Sequence, residues 1–250
     1  MTHSQQEIID TLIDMGNELR SQPRIQVPFT NKSEADVLLN NIETTPHFFV
    51  LGCVMDRQVK AERAWIIPYK ISQIIGSEDF SDFLTLNLPT TTTIFKKHSL
   101  HRMPSLMAKC FFDATQKIHA NYSDNASNIW KERNPSSHEV IQRFAQFNGV
   151  GQKISTMATN ILVREFKVQL RDNSAIDISV DVQIERVFKR LGFVPKDALI
   201  NDIILAARSF YPQYPGVFDS ICWEIGGSWC KPTNPSCTDC ILSKYCPKIL

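Results

Sequence analysis

The chain has 250 residues, of which 43% are hydrophobic and 21% charged, so it is long enough to bury a core and to divide into two lobes. A formal net charge of +1 excludes a uniformly basic surface, so contact with a nucleic acid would need a local basic face. The sequence contains no apolar run long enough to span a membrane and no targeting signal at its start. We therefore expect a soluble, intracellular protein with no membrane partner, which would be cytoplasmic in a prokaryote.

The N-terminal part of the sequence has the spacing of apolar residues that is typical of helices. Ile8, Ile9 and Leu12 predict a first amphipathic helix over about residues 4–20. Further helices are predicted over about residues 33–42, 48–58, 61–75, 79–87, 104–121 and 136–147. The segment Pro89–Phe95 contains a proline and four consecutive threonines and predicts a loop, which leads into the basic stretch Lys96–Arg102.

Two short segments near the middle of the chain alternate apolar and polar residues. Phe166–Leu170 and Ile176–Val180 read as strands, and the polar residues between them suit a turn, so a small β-hairpin is predicted at 166–180. Helices resume over about residues 182–191, 197–210 and 216–228. The fold class is therefore all-α, with this one possible hairpin.

A glycine-containing turn separates two predicted helices at Phe147–Lys153. Gly149 and Gly151 allow left-handed or close backbone geometry, so the chain can reverse within a few residues. The second helix then begins near Gly151, and its unpaired N–H groups form a possible phosphate seat. The same pattern is also that of an ordinary tight turn.

Asp181 lies where the next helix begins, after Val180. An aspartate at this position ordinarily caps the helix. Its carboxylate is also a candidate for a catalytic role.

Four of the seven cysteines lie in the last 21 residues, with the spacing Cys-x6-Cys-x2-Cys-x5-Cys. Four close thiolates can surround one metal centre. Structural zinc sites usually pair two short Cys-x2–4-Cys elements, so the spacing favours an iron–sulfur cluster and leaves zinc open. These cysteines are Cys230, Cys237, Cys240 and Cys246.

Together, and in this order, the pieces resemble the endonuclease III branch of the helix-hairpin-helix DNA glycosylases. That family carries a Gly-Val-Gly-x-Lys hairpin, a Val-Asp pair that opens the next helix, and this cysteine spacing around a [4Fe–4S] cluster. The resemblance is clear over about residues 140–250 and diffuse over 30–139. It implies a two-lobe fold, with a helical bundle at 30–170 that includes the helix-hairpin-helix at about 140–165, and a cluster lobe of 1–29 plus 171–250.

The resemblance also implies a function. The chain would be a base-excision repair enzyme, a DNA glycosylase and AP lyase that acts as a monomer on double-stranded DNA with a damaged or mismatched base. In a prokaryote it would be nucleoid-associated. Two alternatives stay open: a non-catalytic iron–sulfur DNA-binding protein, and a monofunctional glycosylase for mismatched or modified bases. A zinc-stabilised helical module is a third.

Individual roles follow from the same resemblance. Lys153 matches the Schiff-base nucleophile, Asp181 the catalytic carboxylate and the four cysteines the cluster ligands. Gln58 matches a glutamine that fills the gap left by a flipped base, and Leu100 a leucine that wedges the opposite strand; a helix cap and loop packing are the alternatives for these two. The expected DNA contacts are Gly149, Val150, Gly151, Gln58, Leu100, Lys96, Lys97 and Arg102.

The sequence departs from the family pattern at three places. The hairpin begins Phe147-Asn148 where the family has Leu-Pro, and Gln183 stands where it has histidine or asparagine. Lys153 and Asp181 are 28 positions apart, a longer interval than the family shows, which the predicted β-hairpin would explain. These differences leave open which base is removed.

Overall fold

A computed structural model describes residues 3–249, and within this range the chain is all-helical with no strand. The helices are α1 His3–Ser21, α2 Ser33–Asn40, α3 Pro46–Met55, α4 Ala61–Trp65, α5 Ile67–Ile75, α6 Phe80–Phe83, α7 Leu88–Lys97, α8 Pro104–Tyr122, α9 Asn128–Lys131, α10 Ser137–Ala145, α11 Gln152–Arg164, α12 Val182–Arg190, α13 Ile200–Phe210 and α14 Phe218–Ser228. A 3-10 turn at Pro215–Val217 precedes α14. The all-α fold class predicted from the sequence is therefore confirmed.

The chain divides into two compact units. The larger unit is Arg24–Arg171, and the smaller one combines the chain up to Pro23 with the chain from Asp172 onward. The sequence places the corresponding boundaries at 29/30 and 170/171. Among residues 3–249, no helix has the length and apolarity needed to cross a lipid bilayer.

Helix α3 is the centre of the larger unit. All ten of its residues are buried, as expected of a helix that is apolar on every side. It packs against α2, α4, α5, α8 and α11. Asp56 and Arg57, which directly follow α3, are therefore anchored to a fully buried helix.

The loop predicted at Pro89–Phe95 is wrong, because this segment forms helix α7. Asn87 caps the helix by accepting the N–H of Thr90 at 2.9 Å, and Pro89 lies in the first turn, where proline is tolerated. Thr91, Ile94 and Phe95 form a buried stripe at helical spacing and α7 packs against α8. The buried stripe outweighs the low helix propensity of the threonines.

The β-hairpin predicted at 166–180 is also wrong. Lys167 has a positive φ of 57°, which interrupts the first extended run. The backbone groups pair elsewhere within their own units: the Val168 N–H donates to Leu162 and the Arg171 N–H to Pro135. Apolar alternation along these segments reflects burial against helices and not strand pairing.

In the smaller unit, α1 and α12 both pack against α14. The extended segment before α12 is fixed by polar contacts. Arg208 on α13 donates two hydrogen bonds of 2.6 and 2.7 Å to Asp177, which is 5% exposed. The Ser179 N–H donates to Asp219 at 2.7 Å. This segment leads directly into Asp181.

Candidate active site and cysteine cluster

The predicted hairpin lies between α10 and α11 in the larger unit. Gly149 has φ 89°, and a β-carbon built there would lie 2.9 Å from Cys110 Sγ and 3.7 Å from the Arg57 guanidinium. Both the left-handed backbone and the close approach therefore require glycine. Asn148 donates to Asp113 on α8 at 2.7 Å, so a side-chain hydrogen bond fixes the turn where the family has a proline.

Gly151 is the N-cap of α11, and its surroundings differ from those of Gly149. Its backbone is extended, with φ −98°, and a β-carbon there would meet nothing within 4 Å. The first helical hydrogen bond runs from Ser155 to the Gly151 carbonyl, and α11 has no side-chain cap and no acidic residue in its first turn. The amides of residues 152–154 are thus the unpaired N–H groups of a helix start. Val150 is 7% exposed and its N–H donates to Phe147 at 3.0 Å.

Lys153 is the second residue of α11 and is exposed. Its charge acts on Asp56, a half-buried carboxylate that follows α3 directly. Burial raises the pKa of Asp56, whereas a hydrogen bond from the Trp65 side chain and the charge of Lys153 lower it. Sequence reasoning missed Asp56; an acidic residue at the end of a wholly apolar helix was the available signal.

Gln58 lies on a turn that is close to the hairpin. Its side chain is exposed and its φ is 56°, a left-handed conformation that costs a non-glycine residue energy and is enriched at functional sites. Arg102 donates to the Gln58 carbonyl at 3.3 Å. Since Arg57 lies against Gly149, the structure brings Gln58, Arg102 and the hairpin into one region of this unit.

The basic stretch after α7 is divided between surface and core. Lys96, Lys97 and Arg102 are exposed. Leu100 is 3% exposed and belongs to the hydrophobic core of the larger unit. In this conformation Leu100 is a packing residue, and Ser99, with φ 47°, is the exposed tip of the turn.

Asp181 belongs to the smaller unit, where it is the N-cap of α12. Its Oδ1 accepts the N–H groups of Gln183 and Ile184, both at 2.9 Å. No hydrogen bond to Oδ2 is found in the described part of the chain. The neighbouring Gln183 packs against α14, since a β-carbon on Gly226 would lie 2.7 Å from the Gln183 Cβ.

The four C-terminal cysteines line one cavity of about 30 Å³ in the smaller unit. Apolar side chains from α12 and α14 complete its wall. The four thiols are half-buried and form no disulfide, and burial, with the other cysteines adding to it, raises the pKa of Cys240 and Cys246. No group of three or more His, Cys, Asp or Glu side chains closes around a single metal ion within residues 3–249.

Two arginines of α12 hold the start of the cysteine loop. Arg186 donates to the Cys230 carbonyl at 2.6 Å. Arg190 donates to Cys230 Sγ at 3.5 Å and to the Lys231 carbonyl at 2.7 Å. At the other end of the loop, the backbone N–H of Lys248 donates to Cys246 Sγ at 3.4 Å.

No family model matches the chain. A curated relative, the adenine DNA glycosylase of Arabidopsis thaliana, is 37% identical over 79 residues, which are 30% of this chain and 12% of that protein. Of the solved structures, a trapped endonuclease III–DNA covalent intermediate aligns with TM-score 0.60 and 17% identity over 99% of this chain and 97% of its own. A non-covalent endonuclease III–DNA complex aligns with TM-score 0.59 and 16% identity over the same shares.

A thermostable thymine-DNA glycosylase aligns with TM-score 0.60 and 15% identity over 98% of this chain and 96% of its own. The agreement thus extends over nearly the whole length of this chain and of the solved structures, although few residues are shared. The chain therefore has the endonuclease III-like helical fold that its sequence motifs predict.

Proposed function

We propose that the chain is a DNA glycosylase that removes a damaged or mismatched base from double-stranded DNA and nicks the strand as an AP lyase. The observation that carries this proposal is the placement of Lys153. It is an exposed lysine in the first turn of α11, beside the uncapped amides of the glycine hairpin, in a chain with the endonuclease III-like fold.

The hairpin and the turn around Gln58 supply the proposed DNA contact. Unpaired N–H groups at a helix start favour a phosphate, because they donate hydrogen bonds at the positive end of the helix dipole. Arg102, Lys96 and Lys97 add exposed positive charge in the same unit. Gln58 has the exposed, left-handed position expected of a residue that enters the space of an extruded base, and extrusion itself costs a few kcal/mol.

Lys153 is proposed as the nucleophile. A neutral amine attacks C1′ of the nucleotide, the new C–N bond forms, and the glycosidic bond breaks with its electron pair leaving on the base, which takes up a proton. Opening of the sugar ring gives an imine, after which loss of a C2′ proton expels the 3′ phosphate. Asp181 is proposed to stabilise the positive charge that develops on the sugar, since both of its capping bonds use Oδ1.

Cys230, Cys237, Cys240 and Cys246 are proposed to hold a [4Fe–4S] cluster. Four thiols around a shared, apolar-walled cavity, with N–H groups directed at two of the sulfurs, fit the donor set and the hydrogen bonding of such clusters. When bound, the cluster would hold the C-terminal loop in place through its bonds to the four cysteines. Zinc is the competing occupant.

The test of the proposed activity is chemical trapping. Borohydride added during reaction with lesion-containing DNA reduces an imine to a stable amine, so a covalent protein–DNA adduct should form. Lys153→Gln should lose both trapping and strand cleavage while still binding the DNA. Lys131→Gln, which removes another exposed lysine of the same unit, should behave as the unmodified protein.

A monofunctional glycosylase is the second candidate, and one finding favours keeping it: the thermostable thymine-DNA glycosylase aligns as well as endonuclease III does. Base release without any adduct would support it. Binding without base release would instead indicate a non-catalytic DNA-binding protein. A panel of duplexes with different lesions and mismatches identifies the base.

A further inference from the structure

We propose that Asp56 is the positioning residue for Lys153: its carboxylate orients the Lys153 side chain and accepts a proton from it, so that the amine is free to react. This inference rests on the proposed function in assigning Lys153 as the nucleophile. The proton moves from the ammonium to the carboxylate, which leaves a neutral amine and a neutral carboxylic acid. No other reactant is needed.

The fold holds Asp56 in a fixed position. It follows the buried helix α3 directly, and its backbone N–H donates to the Cys53 carbonyl at 3.1 Å. Its side chain accepts a hydrogen bond from Trp65, which is only 3% exposed. A carboxylate has acceptor positions for more than one donor, so this bond leaves capacity for the Lys153 amine.

The packing of the neighbouring elements places Asp56 beside the start of α11. Helices α3 and α11 are in contact, and the next residue, Arg57, lies against Gly149 of the hairpin. The Trp65 side chain and the charge of Lys153 both act on the Asp56 carboxyl, and both oppose the effect of its burial. Asp56 and Lys153 belong to the same unit.

The electrostatics suit a proton acceptor. Burial raises the pKa of Asp56 above the ordinary aspartate value of 3.8, and a base works best when its pKa approaches the working pH. Arginines keep their charge throughout this range, burial keeps the Cys53 thiol neutral by raising its pKa, and burial lowers the pKa of His101. Of these groups, Cys53 and Arg57 are close to Asp56 in sequence, and the Asp56 charge acts on the Cys53 thiol. Arg102, which follows His101, donates to the Gln58 carbonyl two residues after Asp56.

The first test needs no DNA. Because the charge of Lys153 lowers the Asp56 pKa, Lys153→Gln should raise it, which carboxyl ¹³C NMR measures. Lys131→Gln should leave it unchanged. An unchanged Asp56 titration in the Lys153 variant would overturn the inference.

The second test measures borohydride trapping as a function of pH. Asp56→Asn keeps an oxygen that can accept the Trp65 hydrogen bond but removes the charge, so it should slow trapping by roughly 10²-fold with no change in thermal stability. The unmodified protein should lose activity as the pH falls through the raised Asp56 pKa, and the Asn variant should lack this acidic limb. Asp56→Glu should restore it.

Asp79→Asn is the matched control, since Asp79 is an exposed aspartate of the same unit whose side chain makes no capping bond. If Asp56→Asn has the same rate and pH profile as this control, Asp56 has no role in positioning Lys153 and serves only as a hydrogen-bond partner of Trp65. Failure of the unmodified protein to trap DNA, with the NMR coupling present, would contradict the proposed function and leave the electrostatic interaction between Asp56 and Lys153 standing.

Discussion

Gly149 and Gly151 lie two residues apart in the same turn, yet the structure predicts different results for an alanine at each. At Gly149 the φ of 89° is in the left-handed region, which costs an L-residue about 1–2 kcal/mol. The new β-carbon would also lie 2.9 Å from Cys110 Sγ, and Cys110 is fully buried, so it cannot move away freely. Overpacking of this kind adds about 1–3 kcal/mol.

Gly149→Ala should therefore destabilise the Arg24–Arg171 unit by about 2–5 kcal/mol, or roughly 4–20 °C in melting temperature for a chain of this size. At Gly151 the extended backbone accepts alanine and no atom lies within 4 Å, so Gly151→Ala should change stability by less than about 1 kcal/mol. Its methyl group lies beside the unpaired amides of α11 and should weaken DNA binding. Thermal unfolding and DNA titration of the two variants separate these effects.

Cys110→Ala provides the internal check on the steric part. If Sγ is the atom that opposes the new β-carbon, the double variant Gly149→Ala/Cys110→Ala should be more stable than the sum of the single changes, by about 1 kcal/mol or more. Additive single changes would show that only the backbone conformation matters. Equal destabilisation by alanine at both glycines would refute the reasoning.

Three further predictions concern Asp181, the cysteines and His47. Asp181→Asn keeps the oxygen that caps α12, so it should lower base excision by orders of magnitude without changing stability. Asp181→Ala removes the cap as well and should also cost about 0.5–2 kcal/mol of stability. Normal excision by the Asn variant would show that Asp181 acts only as a helix cap. Protein purified without oxygen should contain about four irons per chain. The Cys230→Ser variant should lose this iron, whereas Cys222→Ala should keep it, because Cys222 is a buried cysteine outside the cavity. One zinc per chain without iron would exclude the cluster. His47 is 4% exposed, and burial lowers its pKa from 6.5 to about 4. Between these two pH values the unfolded chain binds a proton that the folded chain does not, so the free energy of unfolding falls as the pH drops from 6.5 towards 4, by about 2 kcal/mol at pH 5. Urea unfolding of His47→Gln should show a weaker pH dependence over this window.

The sequence predicted those features of the fold and site that depend on local geometry. The glycine turn, the N-cap at Asp181 and the spacing of the cysteines are local, because residues close in sequence form each of them. The errors arose where distant residues decide the conformation. Residues 166–180 alternate like strands, but their N–H groups pair with residues such as Pro135 and Asp219.

The site residue that sequence reasoning missed has the same explanation. Asp56 gains its importance from Trp65 and Lys153, which are 9 and 97 positions away, and no local pattern connects them. Leu100 illustrates the converse case. The resemblance matches it to a leucine that wedges the opposite DNA strand, whereas the packing of the larger unit buries it in the core.

Packing also connects the core of the larger unit to its proposed chemistry. A β-carbon on Gly52 in α3 would lie 2.7 Å from the Trp65 ring, so a glycine at this position allows the ring to lie directly against the helix. The same tryptophan donates to Asp56, whose carboxylate interacts with Lys153. Because buried side chains are close-packed, a larger residue in place of Gly52 would displace the Trp65 ring and disturb its interaction with Asp56.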